Sequence, residues 1–95
     1  MAQEFDKSLL KIPGTILVSF KSGWCGPCKL LTPILEELSA DGYSVYTVDI
    51  DKDDDDLAVR HAVRSVPTTV VFKDGLEVER MTGMQTRQKL ITSLT

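Results

Sequence analysis

The 95-residue sequence predicts an α/β fold, a mixed four-stranded sheet flanked by helices on both faces, on three observations. TILVSF, residues 15–20, is a β-branched, almost unbroken apolar run of strand length, the pattern of a strand covered on both faces. It runs on into Leu30, Leu31, Ile34, Leu35 and Leu38, an apolar series at helical spacing. Further on, TTVVFK and LEVERM flank Asp74-Gly75, the signature of a β-hairpin.

Taken in order, residues 4–12 carry Phe5, Leu9, Leu10 and Ile12 on one face of a short helix that Pro13-Gly14 ends. Strand 15–20 follows, then a helix from Pro27 to the stop at Asp41-Gly42, with a kink expected at Pro33, which removes a backbone donor and crowds the preceding turn. Residues 43–50 read as a second strand. The aspartates after it suit the start of a helix over about 54–63, since carboxylates favour a helix N-terminus. Strands 68–73 and 76–81 form the hairpin, and Leu90, Ile91 and Leu94 give a closing helix a narrow apolar face. The predicted order is αβαβαββα. A strand–helix–strand unit implies a right-handed parallel crossover, and the hairpin adds an antiparallel edge.

One domain, residues 1–95, accommodates all of this. Hydrophobic residues make up 42% and charged residues 26%, which fits a globular chain and excludes a disordered one. A net charge of −3 leaves no basic stripe for nucleic acid or an anionic membrane. No apolar run reaches the roughly 20 residues of a membrane span, and MAQEFDKSLLK lacks the pattern of a signal peptide. A cytoplasmic, reducing location is therefore expected, where a C-x-x-C pair is a catalytic or metal-binding feature rather than a permanent staple.

Both cysteines lie in WCGPC, Trp24 to Cys28. A thiol is reactive as its thiolate, and an unassisted thiol with a pKa of about 8.5 is mostly protonated at neutral pH. Cys25 falls at the junction of a buried strand and a long helix, where free backbone N–H groups and the helix dipole stabilise an anion. Cys28 falls one turn later, within reach of Cys25 and more enclosed. Pro27 suits a first helical turn, and Gly26 leaves the approach to Cys25 open. The arrangement points to Cys25 as attacking thiol and Cys28 as resolving thiol. Other uses of the pair are weaker. A disulfide within one turn closes too small a loop to restrain the unfolded chain much. A structural zinc site needs four ligands, and the chain offers two cysteines and His61. A Cys25–His61 nucleophile and base lacks an orienting partner, and His61 is expected to be solvated on its helix.

With strand, W-C-G-P-C, helix and a later V-P-T in place, the chain resembles the thioredoxin family over nearly its whole length. ILVSF, WCGPCKLLTPILEEL, the VDID strand end, SVPTTVVFKDG and the glycine of MTGM carry the resemblance. It implies a thioredoxin fold and a protein thiol-disulfide oxidoreductase that needs no bound cofactor. Cys25 would attack a substrate disulfide and Cys28 would resolve the mixed disulfide. Pro67 would be the family's cis-proline, where Val66-Pro67 alone would read as an ordinary turn. Trp24, Gly26, Pro27, Val66, Gly83 and Met84 would form the apolar patch that receives protein substrates. Electrons would come from a thioredoxin reductase, a flavin enzyme using NADPH, or from glutathione. The implied protein is a monomer, with no metal.

Four departures from the family pattern stand out. The aspartate usually buried beneath the second cysteine is matched by Ser19, and the lysine that pairs with it by Thr47. Losing both together leaves no unpaired buried charge, but Cys28 must then give its proton to water or to the Ser19 hydroxyl. Lys21 stands where a second tryptophan is common, either solvated or helping to hold the Cys25 thiolate. The family's N-terminal strand is expected to be absent, which would make residues 43–50 an exposed edge blunted by the aspartates beyond it.

DIDKDDDD, Asp49 to Asp56, matches the first three ligand positions of a calcium loop through Asp49, Asp51 and Asp53. Asp54 then stands where that loop needs glycine and Arg60 where it needs glutamate, so the run reads as a solvated turn. Two rivals to the reductase are carried forward. One is a binding subunit of a larger complex that uses the same apolar patch. The other is a glutathione-coupled, oxidase or isomerase-type oxidoreductase, which only Gly26-Pro27 disfavours.

Overall fold

The computed structural model describes residues 3–5, 11 and 13–95. Among them run strand β1 (Gln3–Glu4), strand β2 (Thr15–Lys21), helix α1 (Gly26–Ala40), strand β3 (Val45–Asp49), a 3-10 turn (Ile50–Lys52), helix α2 (Leu57–Arg60), strands β4 (Thr68–Lys73) and β5 (Leu76–Thr82), and helix α3 (Arg87–Leu94). The strands lie in the order β1-β3-β2-β4-β5. β3 is parallel to both β1 and β2, and β4 is antiparallel to β2 and β5.

The four predicted strands form the body of this sheet, and β1 adds a fifth. That corrects the expectation of a missing N-terminal strand. Gln3 pairs with Tyr46 and Glu4 with Thr47, and the Phe5 N–H donates to the Thr47 carbonyl at 2.8 Å, so β3 is covered at Tyr46 and Thr47. Glu4, expected in a helix, is in this strand; most of that helix, residues 6–10 and 12, lies outside the described residues. Apolar spacing suggested a helix where backbone pairing to β3 prevails at its first position.

β2 is buried from Ile16 to Phe20, as its apolar run predicts. Alternate side chains serve opposite layers. Ile16, Val18 and Phe20 pack with Phe5, Val48, Leu57, Val70 and Phe72. Leu17 packs on the other face with Leu31, Leu35 and Leu38 of α1, Val45, Val71, Met81 and Leu90 of α3. Each of the larger buried side chains contributes about 1.5–3 kcal/mol. Helix α1 continues through Pro33, and Asp74-Gly75 closes the hairpin with both residues at positive φ, 50° and 85°, as a type I′ turn requires.

The second helix is shorter than residues 54–63. The Asp53 carboxylate accepts the Leu57 and Ala58 N–H groups, both at 2.8 Å, so residues 54–56 are turn rather than helix. At the other end Ala62 takes a left-handed φ of 55°. Its N–H donates to Val59 and that of Val63 to Ala58, a Schellman motif. Helix α1 ends in the same way, with Gly42 at φ 98° and Tyr43 bonded back to Leu38. Only the second helix does this without glycine. Ala62→Gly should therefore raise unfolding stability by about 0.5–1 kcal/mol, read as an increased urea midpoint at unchanged slope; a loss of stability would reject the strain.

His61, expected on a solvated helix face, is half-buried among the rings of Phe5, Phe20 and Phe72, with centroids at 6.3, 6.2 and 5.4 Å. Burial lowers its pKa from the ordinary 6.5, Glu77 and Asp53 pull the other way, and Arg80 adds to the lowering. The unfolded chain thus takes up a proton near pH 6.5 that the folded chain still refuses. Its stabilising contribution is complete above that pH and is lost as pH falls through the folded value. Urea midpoints should fall between about pH 7.5 and 5, and His61→Leu should flatten the fall; an equal slope in the variant would sink this account.

Candidate active site

β2 delivers the chain at its C-terminal end into Ser22-Gly23-Trp24 and then directly into α1. The Cys25 N–H donates to the Ser22 carbonyl at 3.4 Å, and Gly23 N–H to the Asp51 carboxylate at 3.3 Å. Cys25 is the N-cap of α1, with extended backbone (φ −91°, ψ 113°), and Pro27 lies in the first turn. The Cys28 N–H donates to Cys25 Sγ at 3.2 Å. Sulfur thus occupies the place usually taken by a capping oxygen, accepting one of the helix's free N–H groups. The first turn holds no acidic residue to oppose a thiolate there.

Cys25 and Cys28 are joined as a disulfide, with Cα atoms 5.3 Å apart. Both are buried, at 5% and 4% exposure, so the predicted contrast in enclosure is not present in this oxidised form. Position distinguishes them instead: one sulfur caps the helix, while the other residue lines a small cleft. That cleft, of about 170 Å³, is walled by Lys21, Ser22, Gly23, Lys29, Thr32 and Asp49 besides Cys28.

Pro67 follows a cis peptide bond from Val66, as the resemblance implied, and it is buried at the start of β4. Phe20 pairs with Thr68, which places Pro67 at the end of the sheet from which the cysteine loop departs. Its carbonyl accepts the Gly83 N–H at 2.9 Å, fastening the turn after β5 to the same end. Trp24 is 72% and Met84 45% exposed, and Gly26 and Pro27 are also open to solvent. A side chain at Gly26 would meet nothing within 4 Å. The fold itself places no steric demand on glycine there.

Ser19 is 1% exposed and stands between Thr47 on β3 and Thr69 on β4. It shares the α1 face of the sheet with Leu17, so a neutral polar stripe lies where the family carries charge. Thr69 Oγ1 and Ser22 Oγ are buried without a hydrogen-bond partner among the described residues. Two residues further along the same strands, Lys21 pairs with Asp49. Sequence reading gave Asp49 no place in the site. The signal was available, because Asp49 stands two residues beyond Thr47 as Lys21 stands two beyond Ser19.

Among the described residues no group of three or more His, Cys, Asp and Glu side chains could hold a metal ion, the aspartate run included, and no helix is long and apolar enough to cross a membrane. A family model described as Thioredoxin matches residues 1–95. The chain belongs to the thioredoxin family. It is 44% identical over 79 residues to the thioredoxin of Chlamydia caviae, covering 82% of this chain and 78% of that one. It is 41% identical over 80 residues to a thioredoxin of Staphylococcus aureus, covering 81% and 76%. Among solved structures, a mutant thioredoxin from Halobacterium salinarum superposes with a TM-score of 0.86 at 31% identity, over 99% of this chain and 86% of that one. With its C-x-x-C pair in this fold, the thioredoxin-family chain is a thiol-disulfide oxidoreductase acting as a protein-disulfide reductase.

The capping role of the sulfur is measurable. Under reducing conditions Cys25→Ser, which keeps an acceptor at the N-cap, should be more stable than Cys25→Ala by about 1 kcal/mol. Equal urea midpoints would show that the Cys28 N–H bond contributes nothing to α1.

Proposed function

We propose that this thioredoxin-family protein is a general reductant of protein disulfides, with Cys25 as the attacking thiolate and Cys28 as the resolving thiol. The observation that carries the assignment is the Cys28 N–H bond to Cys25 Sγ at the head of a 15-residue helix. Backbone donors and the dipole there favour negative charge on that sulfur. In the reaction, the Cys25 thiolate displaces one sulfur of the substrate disulfide. The Cys28 thiolate then attacks Cys25 Sγ, and the second substrate sulfur leaves with the electron pair. Substrate is reduced by two electrons, and the pair ends as the Cys25–Cys28 disulfide.

Protein substrates would lie across Trp24, Gly26, Pro27, Val66, Gly83 and Met84, beside Pro67. The exposure of Trp24 and Met84 supports this, as does the open space at Gly26, which leaves a partner's approach as the reason for glycine. The working unit is a single domain, a cytoplasmic monomer without a bound cofactor, re-reduced by an NADPH-dependent thioredoxin reductase or by glutathione.

Two measurements test the reading together. Reduced Cys28→Ser should trap a covalent mixed disulfide with a protein substrate through Cys25, while Cys25→Ser should not. Equilibration with defined dithiothreitol ratios should give a reduction potential near −270 mV, a reference value that belongs to thioredoxin itself and is not obtained from this geometry. A potential closer to the −120 mV of strong oxidants would reject a general reductase in favour of an oxidase or isomerase role.

A further inference from the structure

Among the described residues no carboxylate is buried beneath Cys28, which leaves its proton without the acceptor that the family resemblance implies, and the cleft at Cys28 bears on this. Its volume of about 170 Å³ is large enough to hold water. Ser22 also lines the cleft, its Oγ buried and unpartnered among the described residues. The Thr32 hydroxyl is engaged, donating to the Cys28 carbonyl at 3.0 Å, and Asp49 Oδ1 accepts the Asp51 N–H at 2.9 Å. Among the described residues, the charged ones that line the cleft with Cys28 are Lys21 from β2, Lys29 from α1 and Asp49 from β3. Asp51 lies just outside, on the Gly23 N–H. Two cations thus oppose one anion.

We propose that the Cys28 thiol releases its proton directly to water in this cleft and that the Lys21 ammonium holds the resulting thiolate, replacing the buried carboxylate with a cation at the solvent edge. Asp49, the register partner of Lys21, tempers that field rather than accepting the proton. The inference rests on Cys28 being the resolving thiol. In the step itself the Cys28 S–H bond breaks and its proton passes to cleft water. The Cys28–Cys25 S–S bond forms as the Cys25–substrate S–S bond breaks, and the substrate sulfur leaves with the electron pair and takes a proton from solvent. No further oxidant or reductant is involved.

The test uses the reduced full chain and 5,5′-dithiobis(2-nitrobenzoate), following nitrothiobenzoate release by stopped flow across pH. Cys25 attack gives a first, concentration-dependent phase, and Cys28 attack a second, intramolecular one. In Lys21→Met the second phase should slow about three- to tenfold at neutral pH, with its midpoint moved up by about half to one unit. Lys21→Arg should restore it, and Asp49→Asn should move the midpoint down. A midpoint unchanged in Lys21→Met overturns the proposal, as does an Asp49→Asn variant whose second phase slows, which would make Asp49 the base. Loss of the second phase from the unmutated protein, or its survival in Cys28→Ser, would instead refute Cys28 as the resolving thiol.

Discussion

Strand β2 is hydrogen-bonded on both edges and buried on both faces, and the rest of the molecule is arranged around that constraint. Its neighbours are β3 on one side, paired over residues 17–21, and β4 on the other, paired over residues 15–20, so it is held in the sheet from both edges. A strand so enclosed cannot shift register without moving Ile16, Val18 and Phe20 out of one core and Leu17 out of the other. Its end is therefore fixed in space, and with it the start of α1. Cys25 inherits that fixity: the residue that caps the helix is four positions beyond the last residue of β2.

The placement of charge follows the same geometry. The chain is net acidic, yet the first turn of α1 holds no acid, while six aspartates fall in residues 49–56, at the end of β3 and in the turn that follows. There Asp53 caps α2 and Asp51 holds the Gly23 N–H. Negative charge is thus placed on backbone donors at other turns, and the donors at the head of α1 are left for sulfur. Arg80 performs the converse task, giving its guanidinium N–H groups to the His61 and Ala62 carbonyls at the end of α2 while Glu77 anchors it. The hydrogen bond from Arg80 holds the Glu77 carboxyl below its usual range.

Strong local signals were legible in the sequence, and weak or non-local ones were not. The apolar run of β2, the helical spacing of α1, the Asp-Gly hairpin and the WCGPC motif each state their structure within a few residues, and each is where it was predicted. β1 is two residues long and exists only through pairing with β3, more than forty positions away, so no window of sequence contains its cause. His61 reads as solvated on a helical wheel because its burial comes from Phe5, Phe20 and Phe72, on three other segments. The shortness of α2 hides in Asp53, whose carboxylate replaces the first helical bonds, and in Ala62, which adopts a backbone conformation that its side chain disfavours.

Ser19 and Thr47 show what is gained and lost when a buried charge pair is exchanged for hydroxyls. Two ions beneath the cysteines would each carry a desolvation cost that their attraction only partly offsets, and the protonation of either would change with the redox state above it. A stripe of Ser19, Thr47 and Thr69 has no such coupling. The core beneath α1 is neutral whether the cysteines are a dithiol or a disulfide, and its packing need not answer to their chemistry. The loss is a proton acceptor held at short range in a low dielectric, where its influence would be greatest. Lys21 and Asp49 stand two residues further along the same two strands, with the signs of the usual pair exchanged between them. Both are half-buried at the rim of the Cys28 cleft, so the charge at this end of the two strands lies outside the neutral stripe beneath α1.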